Sequence, residues 1–115
     1  MSKEFPSIIA DISAYSKELR QIIPDTMTGF TQMANAALKA NALDEKTKEL
    51  IALALGVAGH CDGCLGYHAK ALVRLGATRE EVAETLGMCV YMGGGPSLMY
   101  AADALRAFDQ FKQQA

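Results

Sequence analysis

Three residues in the run CDGCLGYH carry most of the chemistry this chain can offer: Cys61, Cys64 and His68. On a helix, steps of three and four return to one face, so the three side chains share a stripe and His68 stands one turn beyond Cys64. Cys61 falls at the helix start, next to a break at Gly59, where unpaired backbone N–H groups and the positive end of the helix dipole favour a thiolate. Two thiols three residues apart can also close into a small, reversible disulfide. The run therefore supplies an attacking thiol, a second thiol to resolve the product, and a base.

A histidine used this way needs a partner to fix its tautomer. Glu49 is the candidate. It shares a stripe with Leu53, Gly56 and His60 in the helix before the cysteines, and Gly56 leaves room for another helix to come close. If the two helices form an antiparallel hairpin, Glu49 and His68 can face each other directly or through a water. Two other readings compete with the reactive dithiol. Zinc would find three ligands in Cys61, Cys64 and His68, and would need a fourth from Glu49, His60 or another subunit. Inert core cysteines are the third reading. Cys89 lies on an apolar helix face without a nearby partner and reads as buried packing.

The elements that must position these residues are helical throughout, and no run shows strict alternation. Ile8, Ile9, Ile12, Tyr15 and Leu19 recur at helical spacing. Pro24 opens a second helix carrying Met27, Phe30, Met33, Ala34 and Leu38. Asp44 is a natural N-cap for EKTKELIALALGVAG. The cysteine helix ends at Gly76, and Thr78 with Glu81 spells a capping box for the next. MGGGP then breaks the chain, with Pro96 near the first turn of a last helix. GGG is not a phosphate loop, since neither a strand before it nor a Lys-Ser/Thr pair goes with it. This amounts to one all-α domain over residues 1–115 with about six helices. Helices such as LIALALGVAG are apolar on most sides, which predicts burial on two fronts and hence a homo-oligomer.

Composition narrows the function further. The chain has 115 residues, half of them hydrophobic, three cysteines and a net charge of -2. That charge provides no basic field for nucleic acid or an anionic membrane. The N-terminal SKEFPSIIADISAYSKE has no apolar signal core, and LIALALGVAG is about half a membrane span. The expected setting is the cytoplasm, where a CxxC pair is reactive or metal-binding more often than structural.

The spacing of Glu49, Cys61, Cys64 and His68, set in LDEKTKELIALALGVAGHCDGCLGYH and followed by GATREEVAETLGMCVYMGGGPSLMYAADAL, resembles the alkylhydroperoxidase D-like branch of the carboxymuconolactone decarboxylase family. The resemblance runs over roughly residues 40–107. It implies an all-helical fold and obligate oligomers, commonly trimers or hexamers. It also implies roles: Cys64 as the peroxide-attacking thiolate, Cys61 as its disulfide partner, and His68 with Glu49 as the proton relay. The dipole at the helix start favours Cys61 as the more acidic thiol, whereas the resemblance favours Cys64. The implied activity is a thiol-dependent hydroperoxide reductase or disulfide oxidoreductase. It takes a hydroperoxide and is reset by a lipoylated protein, a thioredoxin-like protein or a small thiol, with no organic cofactor and no metal. In alkylhydroperoxidase D itself a histidine precedes the second cysteine, where this chain has Gly63, and His60 is the nearest substitute. The decarboxylase branch lacks the CxxC, so lactone decarboxylation is not expected. The alternative in another class is a metal-binding or redox-sensing helical oligomer without turnover.

Overall fold

The chain's local signals become five α-helices in a computed structural model, which describes residues 2–115. They are α1 (Phe5–Ile22), α2 (Pro24–Leu38), α3 (Glu45–Ala58), α4 (Asp62–Arg74) and α5 (Arg79–Gln114). No strand forms among the described residues, so the fold is all-α as the periodicity requires. Each boundary has a local cause. Pro24 is the first residue of α2, where its missing N–H costs nothing. The Asp44 side chain accepts from the Thr47 backbone N–H at 2.7 Å and starts α3. Thr78 and Glu81 form the reciprocal capping box that starts α5. Gly76, at φ 77, stops α4 in the left-handed region.

The expected break at MGGGP is present: two helical arms meet there at a kink, so α5 joins the fifth and sixth helices that the sequence predicts. The chain runs through MGGGP as one kinked element, and Gly94 alone leaves helical geometry, at φ 72 and ψ -152. Pro96 lies two residues past the kink, where a resumed helix has no partner for an N–H in any case. The triple glycine therefore holds the junction between the two helical arms of α5. Only glycine adopts the Gly94 conformation without strain. Gly94→Ala should lower unfolding free energy by about 1–3 kcal/mol in denaturant titrations, and Gly95→Ala by clearly less.

The core is built by α3, α4 and the two arms of α5, closed at one end by Phe5 and Ile9 of α1. Phe5, Leu53, Leu65, Leu72 and Phe108 are its largest buried side chains. The rest of the apolar surface is not covered within the chain. α2 buries no residue at all, and Phe30 and Met33 are 58% and 65% exposed. Tyr91 and Met92 stand out just before the kink. Among the described residues no helix is long and apolar enough to cross a membrane.

Candidate functional site: a dithiol turn against a buried carboxylate

α3 and α4 form a tight antiparallel hairpin. Its turn is closed by Gly59 N–H donating to Leu55 O at 2.8 Å and Cys61 N–H donating to Gly56 O at 3.0 Å. Between them His60 takes a left-handed φ of 54, which lets so short a turn reverse the chain. Cys61 is the N-cap of α4. Its sulfur accepts the Cys64 backbone N–H at 3.2 Å, in the place usually taken by an oxygen. Cys61 and Cys64 are joined as a disulfide across this first turn. One sulfur is thus held at the N-cap of a helix start and the other three residues on, within the first turn of the helix.

Gly56 sets the spacing between the two helices. A Cβ there would come within 3.0 Å of the Cys64 Cβ and 3.5 Å of Leu65 Cδ2. Only a bare backbone lets α3 lie this close to the second cysteine. Two turns further from the loop, that close packing brings Glu49 opposite His68. The His68 Nδ1–H donates to Glu49 Oε1 at 2.5 Å. Glu49 is only 4% exposed and lies on the same buried stripe as Leu53 and Gly56. A carboxylate so buried needs a charged or strongly donating partner, and the imidazole is the one it has. An ionised Glu49 can only accept, so in the neutral imidazole this contact favours the tautomer with the proton on Nδ1 and the Nε2 lone pair free. The His68 ring stays partly open to solvent, and it lies one turn from Cys64 on the same helix face.

α1 closes the other side of the turn. A Cβ at Gly63 would meet Ile12 Cδ1 at 2.9 Å, and one at Gly66 would clash with the Ile9 side chain. Ile12 therefore fills the space that a side chain at position 63 would need. His60 does not take over that position. Its ring stacks on Tyr100 of α5, with centroids 4.5 Å apart and planes 5° apart. Cys89 is buried, and desolvation pushes its thiol up, so it stays protonated and inert. In the disulfide form Cys61 and Cys64 are engaged with each other. Among the described residues no three of His, Cys, Asp and Glu converge as a metal-ligand set.

The hairpin thus brings together the four residues picked out by spacing: Cys61 with Cys64, and Glu49 with His68. Sequence reasoning missed the surroundings of Asp62, which lies between the two cysteines. The Lys3 ammonium sits 3.0 Å from its Oδ1, from a segment far away in the chain. The one available signal was an acidic residue inside a helix start that also has to hold a thiolate.

The carboxymuconolactone decarboxylase family profile matches residues 24–107. A solved carboxymuconolactone decarboxylase family protein from Legionella pneumophila, in its apo form, is 58% identical, with a TM-score of 0.94 over 96% of this chain and 99% of that one. A family member from Thermotoga maritima, described as having a possible part in the antioxidative response, is 26% identical. Its TM-score is 0.72, and the match covers 84% of this chain and 89% of that one. An uncharacterized protein of Cupriavidus necator is 38% identical over 109 residues, covering 95% of this chain and 96% of that protein.

Proposed function

The chain belongs to the carboxymuconolactone decarboxylase family, and we propose that within it this protein is a thiol-dependent hydroperoxide reductase of the alkylhydroperoxidase D kind. The observation that carries the reading is the pairing itself. A dithiol able to close across one helical turn lies on the same face as a histidine held by a buried carboxylate. The antioxidative part suggested for the Thermotoga maritima relative points the same way.

In the proposed cycle His68 Nε2 takes the Cys64 proton. The thiolate attacks the terminal peroxide oxygen and the O–O bond breaks. The departing alkoxide takes a proton from His68 and leaves as the alcohol, with Cys64 as a sulfenic acid. The Cys61 thiolate then attacks the Cys64 sulfur. The disulfide closes and the oxygen leaves as water. Overall one hydroperoxide and two thiols give one alcohol, one water and one disulfide. Two electrons from an external dithiol restore the pair by exchange. A lipoylated protein, a thioredoxin-like protein or a small thiol has the required chemistry. Such a cycle suits the reducing conditions of the cytoplasm. We further propose that it runs in a homo-oligomer, a trimer or hexamer. α2 and the apolar groove of Leu50, Ile51, Ala54, Leu55 and Met88 are surfaces a second copy would cover.

The test is a single turnover. Fully reduced protein is mixed with an organic hydroperoxide, and its mass and free thiols are followed in time. Loss of two thiols per chain, matched by peroxide consumed, is expected. Thiols that ignore peroxide but exchange with a disulfide reagent would overturn the peroxidase reading in favour of exchange or sensing.

A further inference from the structure

The segment before α1 lies outside the matched family region, yet it is fastened tightly to the redox turn. Gln110 of α5 clamps it from both sides. Its Nε2 donates to Lys3 O at 2.8 Å, and its Oε1 accepts from Phe5 N–H at 2.8 Å. Phe5 is fully buried. So anchored, Lys3 extends its ammonium between two carboxylates, 3.0 Å from Asp62 Oδ1 and 2.9 Å from Asp103 Oδ2. The same ammonium lies 5.3 Å from the centre of the Tyr100 ring, whose face carries His60.

Asp62 is the first residue of α4 and sits inside the ring that the disulfide closes. A carboxylate there works against the site. The helix start favours negative charge on sulfur, and an unpaired aspartate beside it cancels part of that field. Among the described residues Lys3 is the only cation within ion-pair distance of Asp62. Asp103 differs, since Arg106 Nε stands 3.9 Å from its other oxygen. The remaining titratable groups around the turn are His60 and Tyr100 on the α5 side and the Glu49–His68 pair on the α3 side.

We propose that Lys3 is a positioning residue of the dithiol: its ammonium neutralises Asp62 and so keeps the field of the α4 N-terminus available to the reacting thiolate. This rests on the reading of Cys61 and Cys64 as a reactive pair. Both carboxylates hold the Lys3 ammonium in its charged form above the ordinary lysine range, Asp103 most strongly. The salt bridge therefore persists at every pH at which the thiols titrate. Lys3 and Asp62 are each about two-fifths exposed, so solvent screens the pair and the effect is modest.

The test follows the iodoacetamide alkylation rate of each cysteine against pH, by mass spectrometry of the reduced full-length protein. In Lys3→Met the midpoint of the more acidic thiol should rise, and alkylation below that midpoint should slow about threefold. Asp62→Asn should move the midpoint the other way. The double variant Lys3→Met/Asp62→Asn should recover at least the wild-type rate, which no loss of folding can produce. A Lys3→Met profile identical to wild type, or a double variant as slow as Lys3→Met alone, would overturn the proposal. Its failure is distinct from failure of the peroxidase reading. Thiols that alkylate as expected but ignore peroxide would sink the latter and leave the role of Lys3 intact.

Discussion

Cys64→Ser should abolish hydroperoxide turnover and leave no trappable sulfenic acid, while Cys61→Ser should abolish turnover and keep the first step. The two losses look alike in a steady-state assay and separate in a single turnover. If Cys64 attacks, the Cys61→Ser protein consumes one peroxide per chain. It then holds a sulfenic acid that dimedone labels and mass spectrometry reads as a single adduct. The physical case has two sides. Cys64 stands one turn from His68, so a base can reach its proton. Cys61 is the helix N-cap, and its sulfur already accepts the Cys64 N–H at 3.2 Å, which favours charge on Cys61. The N-cap bond suits the resolving step, in which a Cys61 thiolate attacks the Cys64 sulfur from a fixed position. A dimedone adduct on Cys61 in Cys64→Ser, with Cys61→Ser inert, would reverse the assignment and make field rather than base the decisive factor. Neither serine change should alter the fold by much, because both sulfurs are only half-buried.

What could be read from the sequence was whatever depends on spacing within one hairpin. Glu49 and Gly56 lie two turns apart on α3, Cys64 and His68 one turn apart on α4, and an antiparallel return at His60 brings the two faces together. Caps were legible for the same reason, since Asp44 and the Thr78–Glu81 pair act within three residues. Contacts that need the tertiary fold were not. Nothing near Gly63 tells that Ile12 will lie against it, and nothing near Asp62 tells that Lys3 will reach it. The Gly94 bend was visible as a break. Whether the chain would turn back or carry on depended on how both arms of α5 pack against α3 and α4. Periodicity also overstated the internal core: Tyr15 and Leu19 repeat at the right interval and remain exposed. A repeat reports that a face is apolar and does not say which surface covers it.

Glu49→Gln should slow peroxide reduction about 100-fold while leaving the protein folded and its dithiol present. The amide has the shape of the carboxylate and can still accept from His68 Nδ1–H, so the hairpin should keep its spacing. It loses the negative charge that stabilises the imidazolium when His68 takes the thiol proton. The deficit should therefore appear in the rate of thiol oxidation by hydroperoxide, and far less in reduction of the disulfide by a strong dithiol. Stability should change little, because a buried neutral amide has a lower desolvation cost than a carboxylate and this offsets the weaker bond. Glu49→Ala makes a contrasting case. It removes the acceptor from a site only 4% exposed, leaves His68 Nδ1–H facing a void, and should cost about 2–4 kcal/mol as well as the rate. His68→Asn should match Glu49→Gln or exceed it if the two act as one relay, and the double variant should then be no slower than His68→Asn alone. Stopped-flow rates for the three variants decide the matter. Losses that multiply would show Glu49 and His68 working separately. A Glu49→Gln rate equal to wild type would leave His68 as a solitary base and reduce the buried carboxylate to a structural anchor.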